Sequence, residues 1–378
     1  MAFEQLQAVI NDGIAKRQHT CVQICVSVDD RTQLNAGFGS ATDQIAASAE
    51  TIMLWRSAGK PLTVAGILCL AEQGELAVGD LLGRHLAAVQ GTPFEQITLA
   101  QLMSHDTGLP ALETGWPESD WDETLDGILK TPQQRDPQMN AYQPQATWFL
   151  LGEVLRQKTQ ADTFAEALET VVLAPLSMNR SSCGFSEHAG DARYKLLPDL
   201  FFRKGTDLFR SGLSDGRALQ SASPGGNMRG PVSDLVLFYE MLLRRGVLAD
   251  GQSFLKQTSV ELMIQRHRIG RFDQTLQHKV DMGLGCILDS KHHGPMVPYG
   301  FGQFSSEFTF GHGGAQCSMG FADPAHGLAV AWSSNGFCSE PQHQRRNRAI
   351  NEAIYKDLGL HSSCRQRKHG FHRNPCAQ

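Results

Sequence analysis

The sequence predicts an α/β (α+β) protein in which a sheet assembled from both ends of the chain carries a mainly helical insert. Three observations predict it. Strand-like alternation is concentrated near the N-terminus and in the last third, helical periods fill the middle, and 378 residues exceed what one hydrophobic core usually holds. The expected sheet unit is residues 1–78 with 228–360, the helical unit 79–227, and the polar, basic stretch 361–378 is expected to be a disordered tail.

Taken in order, Phe3, Leu6, Val9, Ile10 and Ile14 recur at helical spacing and predict an amphipathic first helix. Two strands, Cys21–Val28 and Gln33–Phe38, follow around a turn at Asp29–Asp30–Arg31. From Ser57 to Gln73 the chain is helical and apolar on every side, which predicts a buried helix. Pro61 is tolerated only in its first turn, so the helix begins at or beside Ser57 and closes at Gly74. Thr98–Ser104, Trp121–Leu129, Thr147–Lys158 and Pro231–Arg245 carry further helical periods. Residues 179–226 read as one long loop rich in Gly, Ser and Asp. Strands are expected at Gly283–Leu288, Glu307–Phe310 and Gly327–Ser333, the last two joined at Asp323–Pro324, and a closing helix at Gln344–Leu358.

Composition narrows the function. Charged residues make up 19% of the chain and the net charge is −5, so nothing calls for a nucleic acid or an anionic membrane as partner. No apolar run reaches transmembrane length, and the N-terminus, interrupted by Glu4 and Asp12, does not read as a secretory signal. The nine cysteines form no C-x-x-C pair and read as reduced core thiols in a cytoplasmic protein. His292–His293 and His369/His372 have no supporting ligand set, so neither a metal nor a cofactor is expected. Gly212-Leu213-Ser214-Asp215-Gly216 matches the G-x-S-x-G elbow, but a polar, Gly-rich loop follows it and the segment reads as a turn.

Chemistry enters at Ser57-Ala58-Gly59-Lys60. Three residues apart on a helix, the hydroxyl and the amine share a face, and burial near a helix N-terminus favours a neutral lysine able to take the serine proton. S-x-x-K alone recurs by chance, and its neighbours supply the specificity. Leu54 to Lys60, the Gln101-Leu102-Met103-Ser104-His105-Asp106-Thr107-Gly108-Leu109-Pro110 segment, Ala174-Pro175-Leu176-Ser177-Met178 and Phe310-Gly311-His312-Gly313-Gly314 occur in order along the chain. Together with Ala141-Tyr142-Gln143-Pro144 they resemble the class C β-lactamase and family VIII esterase group, related to penicillin-binding proteins.

The resemblance implies a β-lactamase/transpeptidase-like fold, an antiparallel sheet flanked by helices beside a mainly helical domain, with the site between them. It implies Ser57 as nucleophile, Lys60 and Tyr142 as proton-transfer partners, the Ser57 and Ala315 N–H groups as oxyanion donors, and His312, Gly313 and Gly314 against the substrate. Pro144 stands where that group's Y-x-N motif has its Asn, which argues against recognition of a β-lactam or peptide side chain. His105 and Asp106 are expected to brace the fold; Trp116, Trp121, Phe201, Phe202 and Tyr299 are placed in segments able to line an acyl pocket. The expected activity is hydrolysis or acyl transfer on a small-molecule ester or amide, with a second acyl acceptor as an option. The alternatives are a β-lactamase or D-amino-acid peptidase, and a catalytically silent binding or assembly module. Oligomeric state is left open.

Overall fold

The computed structural model describes residues 2–185 and 192–361; the expected tail, and the part of the predicted loop at 186–191, lie outside the described residues. Six strands form one antiparallel sheet in the order β3-β4-β5-β6-β1-β2, where β1 is Cys21–Val28, β2 Arg31–Gly39, β3 Ile287–Leu288, β4 Phe310–Gly314, β5 Ser318–Asp323 and β6 Leu328–Ser334. The N-terminal hairpin therefore completes a sheet begun by the last third of the chain. Its turn is made by Asp29 and Asp30, with φ of 50° and 60°, a left-handed pair of the kind tight hairpins require.

The helices that matter for the site are α1 (Glu4–Ala15), α2 (Lys60–Glu72), α3 (Leu99–Met103), α4 (Trp121–Lys130), α5 (Ala146–Thr159), α6 (Val232–Leu243) and α7 (Glu340–Asp357). Val22, Ile24 and Val26 of β1 join the core that contains Leu6 and Ile10 of α1 and Ile350 and Ile354 of α7. Cys21 and Cys25, on the alternate face, join the larger core of α2, α5 and α6. Gly320 lets α6 approach β5 closely: a Cβ there would sit 2.6 Å from the Tyr239 ring. In α2, Leu62, Val64, Ile67 and Leu68 are all buried, as an apolar surround demands, and each contributes about 1.5–3 kcal/mol.

Thr98 caps α3 and Asp120 caps α4, both through capping boxes, which explains why those starts were legible. Other expectations need correction. The 179–226 segment is not one loop: Phe201–Lys204 and Asp207–Arg210 form a hairpin, Ser182–Cys183 pairs with Met228–Gly230, and Gly216–Gln220 is a short helix. The strand placed at Glu307–Phe310 begins at Phe310, and that at Gly283–Leu288 shrinks to Ile287–Leu288, because Gly285 turns the backbone at φ 66°. β5 lies between the two strands expected to be joined at Asp323–Pro324. Every residue of β5 is buried, so no polar alternation marks it. Helix α7 starts at Glu340, with Pro341 in its first turn rather than ahead of it. Among the described residues no helix is long and apolar enough to cross a membrane.

Candidate active site

The backbone that delivers Ser57 is fixed on three sides. Met53–Leu54 pairs with Met228–Gly230, the Trp55 indole donates to Gly230 O at 2.9 Å, and the Trp55 carbonyl accepts the Ser318 hydroxyl at 2.5 Å. Arg56, the residue before the serine, has φ 48°, a left-handed conformation that costs an L-residue about 1–2 kcal/mol. Its guanidinium lies 4.7 Å from the centre of the Phe337 ring. Arg56–Gly59 form a 3-10 turn that runs directly into α2 at Lys60.

Lys60 is fully buried. Its Nζ lies 3.0 Å from Ser57 Oγ, 2.7 Å from Pro144 O and 2.5 Å from Gly225 O. Burial holds its pKa well below the ordinary lysine value, and the described residues pair no carboxylate with it. The Ser57 hydroxyl also lies 3.3 Å from Gly225 O. Tyr142 packs over the amine, its ring centre 5.4 Å from Nζ. Burial raises the phenol pKa, partly offset by a hydrogen bond with Ser57. The structure thus brings Ser57, Lys60 and Tyr142 together.

His312 faces the same cluster from β4, its ring 5.8 Å from that of Tyr142. Its Nδ1 lies 2.8 Å from Gly313 O, and since a carbonyl only accepts, Nδ1 carries the proton and Nε2 presents a lone pair. Burial above all, and positive charge on Lys60 whenever that amine is protonated, lower its pKa to about 3, so the ring is neutral. Gly313 and Gly314 are glycines for want of room: a Cβ would meet the Tyr299 ring at 2.2 Å and the Trp55 carbonyl at 2.1 Å, respectively. The second contact sets the turn containing Ala315 beside the Trp55–Ser57 segment.

Gly225, Arg268 and Asp273 escaped the sequence reading, while His105 and Asp106 were expected to brace the fold. Gly225 and Pro144 act through their carbonyls, which carry no side-chain signature. His105 accepts the Gln143 N–H at 3.0 Å and packs against Tyr142 with ring centres 4.3 Å apart and the planes tilted by 31°. Arg268 and Asp273 form a fully buried ion pair at 2.8 Å, and Arg268 also donates to the His105 carbonyl. Asp106 pairs with Arg271 at 2.8 Å. Of the five aromatic residues expected near a pocket, Tyr299 adjoins the site through Gly313 and donates its hydroxyl to Glu340 at 2.9 Å. Trp121 instead packs on Phe149 and Phe164 and donates to Glu153. Trp116 donates to Ser221 O, and Phe201 and Phe202 belong to the hairpin.

Two other clusters resolve differently. Ser214 does lie between a strand and a short helix, but its hydroxyl donates to Pro198 O at 3.1 Å on the margin of the hairpin. His292 and His293 do have a third potential ligand, Asp281, with all three ligand atoms within 4.8 Å of one another. The Arg266 guanidinium, 2.6 Å from the same carboxylate, already balances its charge, so the two imidazoles read as contacts that tie the 291–293 turn to Asp281.

A sheet of this topology, with S-x-x-K opening the buried helix against its edge, defines the serine β-lactamase/transpeptidase class of architecture. The chain belongs to the Beta-lactamase family, which it matches over residues 6–355. It is 26% identical to penicillin-binding protein 4* of Bacillus subtilis (strain 168) over 156 residues, covering 38% of this chain and only 33% of that protein. Among solved structures it resembles a penicillin-binding protein homologue from Caulobacter crescentus, with a TM-score of 0.74, 20% identity, and coverage of 94% of this chain and 97% of that one. EstCE1, a hydrolase with promiscuous acyltransferase activity, superposes with a TM-score of 0.76 at 16% identity, over 93% and 98% of the two chains.

Proposed function

We propose that this protein is a serine acyl-transfer enzyme that works through a Ser57 acyl-enzyme on small-molecule esters or amides, with esters preferred, in the cytoplasm. The observation that carries the reading is the hydrogen-bonding of Lys60. A neutral amine has two N–H bonds and one lone pair. With the amine neutral, as its burial favours, Pro144 O and Gly225 O, which only accept, take its two N–H groups, and its lone pair is left for Ser57 Oγ, 3.0 Å away. The lysine is thereby held as a base aimed at its nucleophile.

In the first half-reaction Ser57 Oγ attacks the carbonyl carbon and its proton moves to Lys60 Nζ. The carbonyl π-pair becomes the oxyanion, received by the Ser57 and Ala315 N–H groups. Tyr142, beside both Ser57 and Lys60, relays a proton to the departing alkoxide or amine as the carbonyl re-forms. In the second half-reaction water or an alcohol or amine acceptor gives up its proton along the reverse path, attacks the acyl group, and releases Ser57. His312 and Tyr299 border the substrate. The site falls between the sheet unit and the helical insert. The seven described cysteines, all free and buried, suit a reducing compartment.

The penicillin-binding relative favours a second reading, in which the scissile bond is an amide of a β-lactam or peptide. The loss of the side-chain amide at Pro144 favours the ester. Intact-protein mass after exposure to a fluorophosphonate tests the shared core: one adduct on wild type and none on Ser57→Ala is expected, while an unlabelled, well-folded wild type would count against catalysis and favour a silent binding module. Turnover of 4-nitrophenyl esters against a chromogenic cephalosporin separates the two substrates. Faster cephalosporin hydrolysis would overturn the ester preference.

A further inference from the structure

Tyr142 lies on an irregular segment ahead of α5, yet its role demands a hydroxyl placed to a fraction of an ångström. What fixes it is a second, distant part of the chain. Phe272–Asp273 and His278–Lys279 form a small two-stranded hairpin whose turn docks on residues 140–142. Gln274 N–H donates to Asn140 O at 2.8 Å, Tyr142 N–H donates to Asp273 Oδ1 at 3.1 Å, and the Thr275 hydroxyl donates to Tyr142 O at 2.9 Å. Both polar groups of the Tyr142 backbone are thus taken by one turn. The same Asp273 oxygen also accepts Thr275 N–H and Leu276 N–H, each at 2.9 Å, so its carboxylate orients the turn that orients the tyrosine.

The other Asp273 oxygen faces Arg268 Nη2 at 2.8 Å, both side chains being wholly inaccessible. Arg268 reaches past it and donates from Nη1 to the His105 carbonyl at 2.9 Å. His105 has φ 56°, a left-handed conformation that a bulky residue keeps only when its surroundings impose it. In that conformation its ring lies 4.3 Å from the Tyr142 ring and its Nδ1 accepts Gln143 N–H. Backbone on one side and ring face on the other are therefore tied to a single buried ion pair.

We propose that the Arg268–Asp273 pair and Thr275 are positioning residues that hold Tyr142 in register with Ser57 and Lys60. They touch no reacting atom and act through Tyr142 alone. The inference rests on the assignment of Tyr142 as proton relay. It goes beyond that assignment by naming the residues that make a loop tyrosine accurate enough to serve, since a displacement of about 1 Å at a reacting group can cost roughly 100-fold in rate.

The test is a double-mutant cycle on full-length protein, with kcat and KM measured on 4-nitrophenyl butyrate and folding followed by thermal melting. Asp273→Asn is expected to lower kcat roughly 10- to 100-fold with little change in KM, and Thr275→Val roughly three- to tenfold. Arg268→Lys, which keeps the charge and loses the fork, should retain more activity than Arg268→Met. In a Tyr142→Phe background, all of these further losses should disappear, because the group they position is gone. Equal losses in both backgrounds would overturn the proposal in favour of a structural role, as would a natively melting Thr275→Val with wild-type kcat. Should Asp273→Asn fail to fold, Thr275→Val, which removes one hydroxyl at an exposed site, decides. If Ser57→Ala and Tyr142→Phe both keep wild-type turnover, the acyl-enzyme reading itself falls. If those two are crippled and the cycle is additive, only the positioning inference does.

Discussion

Two adjacent glycines in the loop over Lys60 should behave in opposite ways. A Cβ built on Gly225 would lie 2.5 Å from Pro144 O, 3.1 Å from Lys60 Nζ and 3.2 Å from Trp148 Cβ. The first of these is about 0.9 Å inside the 3.4 Å at which ordinary contact begins, and the obstructing atom is backbone. Gly225→Ala must therefore push apart the two carbonyls that fix the Lys60 lone pair, at an overpacking cost of about 1–3 kcal/mol. A shift of about 1 Å in the general base lowers reactivity roughly 100-fold. A Cβ on Gly226 meets only Ser223 Oγ at 3.5 Å and Gln145 Nε2 at 3.7 Å, and neither glycine has a left-handed φ that alanine would strain. Gly226→Ala should thus label at the wild-type rate. The assay is the pseudo-first-order rate of fluorophosphonate labelling, read by intact mass, with melting temperature as the control for folding. Labelling of Gly225→Ala within threefold of wild type would refute the argument that these carbonyls aim the lysine, and so would an equal loss in Gly226→Ala.

Labelling should rise as pH rises through the depressed pKa of Lys60, because only the neutral amine accepts the Ser57 proton, and should reach its plateau well below the ordinary lysine value. His312, held near a pKa of about 3, should add no inflection near 6.5; a rise centred near 10.5 would mean that burial does not depress the Lys60 pKa. Dialysis against a chelator should leave labelling unchanged, whereas a loss restored by Zn²⁺ would shift attention to Asp281, His292 and His293. Asp323→Ala, which unpairs the buried Tyr355 hydroxyl (2.7 Å), the Ser306 N–H (2.9 Å) and hydroxyl (2.5 Å) and the Ala325 N–H (3.2 Å), should cost about 3 kcal/mol in urea unfolding without changing the labelling rate of the folded protein. A loss under 1 kcal/mol would show that these donors find other partners.

How much of this was legible depends on which part of a residue carries the function. The roles proposed for Ser57, Lys60, Tyr142 and His312 rest on side chains in ordered local patterns, and the apolar surround of α2 announced the burial that lowers the Lys60 pKa. Capping boxes at Thr98 and Asp120 marked two helix starts. Gly225 and Pro144 act through carbonyls, and any residue offers one. Asp273 lies 131 positions from Tyr142, so no local spacing connects them. β5, covered on both faces, lacks the alternation that exposes a strand, and Gln143, read only as an extended residue before proline, turns out to tie Leu109 O and Pro110 O to the site with its side-chain amide.

The buried cations show why Lys60 is suited to shed its proton and its neighbours are not. Arg229, Arg268 and Arg346 are also withdrawn from water, and burial lowers the pKa of each. Arg268 keeps its charge against the Asp273 carboxylate, and Arg346 spreads its donors over Gln316 O, Gly336 O and the rings of His19 and His343. Arg229, with a pKa lowered to about 10, donates to Asn227 Oδ1 and Leu213 O and still ionises throughout the neutral range. A guanidinium starts too high for burial alone to neutralise it. Lysine starts near 10.5 and here receives two carbonyls and a hydroxyl and, among the described residues, no carboxylate. Two N–H acceptors match the neutral amine, and the third contact is a group that can donate. Substituting a carboxylate near Lys60 would stabilise the ammonium and silence the base, so the apolar surround of α2 and the lack of an acid beside its first turn belong to the chemistry as much as to the core.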